Sequence, residues 1–286
     1  MKNQAAGLDE LLKKIQNPKK NTTFIAITSG KGGVGKSTIS ANMAYILWSM
    51  GYKVGVFDAD IGLANLDLIF GVKAQYNILD VLKGDISFED IVINIESGLC
   101  LIPGYTGDEI FKYNDNILEK FSNQSVILDS LDYLIIDTGA GIGDSVQTFL
   151  SASDYVIVVT MPDPSALTDA YASIKVSSRH KNKIYVIVNQ VNSTREANKV
   201  FDRLKSVAGS NIPNLELELL GKISSSDSIV QSNRQRKLFT KVFPQSFASA
   251  SLQTIAINLL KNMEQNVLPY NESGFNRFIR NILSRF

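Results

Sequence analysis

The chain has 286 residues, 44% hydrophobic and 20% charged, which excludes a disordered, collagen-like or low-complexity protein and allows an α/β domain with a real core. Its single cysteine, Cys100, excludes an intramolecular disulfide or a multi-cysteine metal site and fits a reducing compartment. The net charge of +1 is a cancellation: residues 1–20 set five lysines against Asp9 and Glu10, residues 228–286 set eight basic residues against Glu264 and Glu272, and the body between them holds 16 basic and 24 acidic residues. An acidic body with two basic ends points to anionic partners at those ends.

In chain order, apolar residues at 5, 8, 11, 12 and 15 predict a short N-terminal helix, and Asn17 to Thr22 carry linker signals. Continuous apolar runs then predict buried strands at 24–27, 54–57, 99–102, 133–136, 155–159 and 184–188, with helices at 36–50, 114–128, 165–178 and 194–208. Strand and helix in alternation give a doubly wound, mostly parallel sheet flanked by helices. Residues 265–274 read as a second linker, so the expected plan is a segment 1–21, a domain 22–264 and an appendage 265–286. The appendage places Phe275, Phe278, Ile279, Ile282, Leu283 and Phe286 on one helical stripe, with Arg277, Arg280 and Arg285 beside it, as in an interfacial membrane helix. No apolar run is long enough to span a bilayer and no secretory signal pattern opens the chain, so a cytoplasmic location is expected.

The first strand is followed by Ser29, Gly30, Lys31, Gly32, Gly33, Val34, Gly35, Lys36, Ser37 and Thr38, which fits the phosphate-loop pattern G-x-x-x-x-G-K-[ST]. Its glycines let backbone N–H groups form an anion nest at a helix N-terminus, with Lys36 for the β- and γ-phosphates and the Ser37 hydroxyl for Mg²⁺. With its extra Lys31, the loop resembles the deviant Walker A loop of the MinD/ParA ATPases. That resemblance implies an ATP-dependent homodimer in which Lys31 crosses to the partner's nucleotide.

The second strand ends at Asp58, Ala59 and Asp60, whose alternation puts both carboxylates on one side near the phosphates. The resemblance gives Asp60 the attacking water, places Asp58 near the metal, and matches Asn65 to an asparagine of the first switch. The fourth apolar run is followed by Asp137, a Walker B arrangement holding Mg²⁺ through water. Gly141 resembles a second-switch glycine whose N–H meets the γ-phosphate. Asn189 aligns with an adenine-reading asparagine, and the stretch after it lacks the Lys and Asp of a guanine reader, so ATP is favoured.

At the N-terminus, Gln4, Ala5, Ala6 and Leu8 match the activator motif of FlhG-type (FleN/YlxH) flagellar ATPases, while Asn3 and Asp9 depart from its Asp and Arg. This resemblance implies a slow regulatory ATPase that stimulates FlhF, an SRP-type GTPase. It also implies an ATP-bound form peripheral on an anionic membrane, and contacts with the flagellar C-ring or a flagellar transcription regulator. Division-site placement and DNA partitioning are the rival functions. Partitioning would use the basic stretch 234–241 on phosphates and is disfavoured by the apolar C-terminal stripe.

Overall fold

A computed structural model describes residues 22–60, 64–84, 86–104 and 128–265. The expected helix at 114–128 lies almost wholly outside these residues, as do the N-terminal motif residues Gln4, Ala5 and Leu8 and the C-terminal stripe Phe275 to Phe286.

The strands are β1 (Thr23–Ser29), β2 (Val54–Ala59), β3 (Ile93–Glu96), β4 (Leu99–Ile102), β5 (Tyr133–Ala140), β6 (Tyr155–Thr160), β7 (Lys183–Val191) and β8 (Glu216–Ser224). They form one sheet in the order β3-β4-β2-β5-β1-β6-β7-β8, parallel except for β3 against β4. Each predicted strand is present. The structure adds β3 and β8, so Asp137 sits on the fifth strand rather than the fourth.

The helices are α1 (Lys36–Ser49), α2 (Leu66–Phe70), α3 (Ile78–Lys83), α4 (Phe88–Ile91), α5 (Asp144–Ala152), α6 (Pro164–Ser177), α7 (Thr194–Asn211), α8 (Asp227–Arg234), α9 (Phe239–Val242) and α10 (Phe247–Gln265). Strand alternation divides the core between the two faces of the sheet. Ile25 and Ile27 of β1 pack with Ile39, Met43 and Leu47 of α1 and Leu252 and Ile255 of α10. Ala26, one residue out of phase, packs on the other face with Val146 and Leu150 of α5 and Ile174 of α6. Because β1 lies between β5 and β6, chain direction across the sheet reverses there, and the carboxyl ends of the strands open a crevice at that point. None of the described helices is long and apolar enough to cross a membrane.

Candidate functional site

The loop between β1 and α1 turns on glycines for a steric reason. Gly33 and Gly35 have φ of 82° and 91°, which side chains rarely adopt, and a Cβ on Gly35 would lie 2.4 Å from the Asn189 amide nitrogen. Gly30 admits Asp169, whose carbonyl oxygen would lie 2.0 Å from a Cβ there. Helix α1 begins at left-handed Gly35 with no side-chain cap, so its first N–H groups are left for an anion. The loop borders a cleft of about 780 Å³ lined by Gly33, Lys36, Ser37, Thr38, Asp60 and Asn189 among others, a size suited to a nucleotide.

Two carboxylates meet one lysine beside this cleft, and a third, Asp58, is buried next to them. Lys36 is buried and its Nζ donates to Asp137 Oδ1 at 2.9 Å, with Asp60 Oδ2 at 4.0 Å. Ser40, one turn along α1, also donates to Asp137 Oδ1 at 2.9 Å, a contact the sequence reading did not include. Asp137 Oδ2 is buried with no partner among the described residues. Asp58 Oδ2 accepts the N–H of Asn65 at 2.9 Å and of Leu66 at 3.0 Å, and its Oδ1 accepts that of Asp60 at 3.3 Å. The carboxylate thus ties the end of β2 to the start of α2.

Burial pushes the Asp58 carboxyl up to about 7, reinforced by Asp137 and opposed by those backbone N–H groups. Burial also raises Asp60, against the lowering effect of Lys36. The orphan oxygen of Asp137, the excess of carboxylate and the nearby Ser37 hydroxyl fit Mg²⁺, which takes one or two carboxylates alongside substrate phosphates and water. No group of three or more His, Cys, Asp or Glu that could hold a metal ion occurs among the described residues.

The two loop lysines are placed differently. Lys31 does not line its own cleft: its Nζ lies 3.1 Å from Asp163 Oδ1 and also bonds Ser165 Oγ at the start of α6. Asp163 caps that helix by accepting the Ala166 N–H at 2.9 Å, and its bonds from Ser165, Ala166 and Lys31 hold its carboxyl below the usual range. The Asp163–Pro164 pair signals a helix start in the sequence but not a partner for Lys31.

Other expected residues have neighbours of their own. The Asn189 amide donates to Val34 O at 2.8 Å, and the Gln190 amide donates to Gly33 O at 3.3 Å from a left-handed backbone with φ of 56°. The end of β7 therefore grips the phosphate loop. Gly141 donates its N–H to Ser29 O at 2.8 Å, and its neighbour Ala140, rather than Gly141, lines the cleft. Asn65 lines the cleft with its amide oxygen buried and unpartnered among the described residues.

The ParA family model, described as NUBPL iron-transfer P-loop NTPase, matches residues 20–260. The chain is 50% identical to the flagellum site-determining protein YlxH of Helicobacter pylori, over 99% of each chain. It is 32% identical to the antiactivator FleN of Pseudomonas aeruginosa, over 89% of this chain and 90% of that one. Among solved structures, the MinD cell division protein of Aquifex aeolicus superposes with a TM-score of 0.68 at 26% identity, covering 87% of this chain and all of that one. The chain belongs to the MinD/ParA family of P-loop ATPases, in its flagellar site-determining YlxH/FleN branch.

Proposed function

We propose that this ATPase acts as a timer for flagellar number and placement. ATP brings two copies together across their nucleotide sites, the 265–286 appendage holds the dimer on an anionic membrane, and slow hydrolysis returns the monomer. The observation that carries the dimer reading is the place of Lys31, on the rim outside its own cleft, while Lys36 occupies the phosphate-facing position. Asp163 and Ser165 then keep Lys31 in store until a second nucleotide site faces it.

Within the cleft, the N–H groups opening α1 receive the phosphates, and Lys36 leaves Asp137 to neutralise their charge. Asp60, beside Lys36 and half-buried, orients water in line with the γ-phosphorus. The water oxygen bonds phosphorus as the bond to the bridging oxygen breaks, and ADP departs with that oxygen. Ser37 and the orphan oxygen of Asp137 would hold Mg²⁺, which supplies charge neutralisation on the phosphates. Asp58 reaches the site through the backbone it ties. The Asn189 amide, now on Val34, would read adenine, and Gly141 would exchange Ser29 for a γ-phosphate oxygen.

Two measurements test this reading. Asp60→Ala in the full chain is expected to bind ATP, hydrolyse it at background rate and co-sediment with anionic liposomes as a dimer. A variant that stays monomeric with saturating ATP overturns the timer. Residues 1–20 as a peptide are expected to stimulate GTP hydrolysis by an FlhF-type partner, and Gln4→Ala to remove the stimulation. No stimulation by the unaltered peptide overturns the link to that GTPase.

A further inference from the structure

We infer that Arg236 and Lys237 form a second anion site beside the nucleotide cleft, for a phosphate carried on the ribose of the bound nucleotide or on a separate small molecule. Three observations converge on it. A cleft of about 330 Å³ is lined by Thr38, Asn65, Leu68, Ile69, Asn233, Arg236 and Lys237, and the first two, with Ile69 and Asn233, also line the nucleotide cleft. The two spaces are therefore contiguous, so an occupant of the smaller one lies next to a bound nucleotide.

The second observation is backbone conformation. Helix α8 ends with the Arg236 N–H donating to Asn233 O at 3.1 Å and the Lys237 N–H donating to Ser232 O at 3.0 Å, and Arg236 stands left-handed at φ 52°. Glycine is the residue that position favours, so an arginine there is held at a conformational cost. Its backbone is also seated tightly: a Cβ on Gly71 would lie 2.7 Å from Arg236 O. A strained and fixed residue is a firm base from which to present a guanidinium.

The third is charge. Neither Arg236 nor Lys237 has a carboxylate within 4.0 Å among the described residues, whereas Lys241, further along the same basic stretch, is spent on Glu96 at 2.6 Å and on the Tyr45 ring. Two uncompensated cations, one with a planar fork of donors, beside the Thr38 hydroxyl and the Asn233 amide suit the several oxygens of a phosphate. The small space, about 330 Å³ and contiguous with the nucleotide cleft, favours a phosphate held beside a bound nucleotide over a nucleic-acid strand.

The test uses the full chain and calorimetry with three probes: ADP, adenosine 3′-phosphate 5′-diphosphate, and pyrophosphate added to ADP-saturated protein. The wild type is expected to bind the 3′-phosphorylated nucleotide about tenfold more tightly than ADP, or pyrophosphate as a second stoichiometric ligand, the two arms separating the sources. Arg236→Gly combined with Lys237→Ser should lose that gain, keep its ADP affinity and melt no lower than the wild type, because glycine relieves the left-handed strain. The site is overturned if neither probe binds beyond ADP, or if the double variant binds both as the wild type does.

Discussion

The two ends of the sheet treat charge in opposite ways. At the N-terminal edge, Lys183 bonds Glu216 at 2.9 Å, Glu218 at 2.8 Å and Asn262 at 3.2 Å, and lies over the Tyr185 ring. Tyrosines close the rest of that edge, Tyr52 against Tyr133 with centroids 5.1 Å apart and Tyr155 near Tyr185 at 6.2 Å. At the C-terminal edge, Asp60 and Asp137 share one buried lysine, with Asp58 buried beside Asp137 and held by backbone N–H groups alone. Of five buried side-chain atoms without a partner among the described residues, Thr28 Oγ1, Asn65 Oδ1 and Asp137 Oδ2 belong to that end, against Tyr185 Oη at the other. An end that completes its own interactions holds the fold together; an end left with surplus carboxylate and free acceptors is built for a cation and a ligand.

The comparison breaks most sharply at Lys36. Lys36→Ala leaves buried Asp137 and half-buried Asp60 without their ammonium, so stability should fall by about 3–5 kcal/mol and nucleotide binding should vanish together. Denaturant melts and titration with a fluorescent ATP analogue measure the two losses. A variant that binds ATP normally would show that the phosphates do not rest on Lys36.

A smaller effect is expected from Asp58→Asn in nucleotide-free, metal-free protein. The folded carboxyl titrates at about 7 against an ordinary 3.8, so the folded chain holds the proton more tightly than the unfolded chain. Its contribution to stability is then fully present below about pH 4 and is lost as pH rises through about 7. Asparagine keeps an acceptor for the Asn65 and Leu66 N–H groups but carries no charge. The variant's stability should therefore change less than the wild type's between pH 4 and 8, and matching slopes in denaturant melts would place the pH dependence elsewhere.

The same contrast explains what the sequence made legible. The phosphate loop, Asp58, Asp60 and Asp137 could be placed because strand ends in a parallel sheet fix where a following residue lies. The edge strands β3 and β8 were harder to see. Ile93–Glu96 is short and half polar, and Glu216–Ser224 alternates charged and apolar residues, then breaks register near Gly221, where β7 pairs Val186 with Leu219 but Ile187 with Gly221. Long-range side-chain partners carry no local signal. Lys31 and Asp163 lie 132 residues apart, and the rotamer of Asn189 is set by a carbonyl 155 residues away.

The smallest effect belongs to the edge that completes itself. Lys183→Met keeps the apolar stem on Tyr185 and removes the ammonium from Glu216 and Glu218, whose side chains are 62% and 33% exposed. Water takes over much of the interaction at such exposure, so the loss should be no more than about 1 kcal/mol and should shrink in high salt. ATPase KM and kcat should stay at wild-type values, because β7 reaches the cleft only at Asn189 and Gln190, at its far end. A raised KM in Lys183→Met would mean that β7 transmits strain along its length to the amides gripping the phosphate loop, and the two edges would then be one coupled unit.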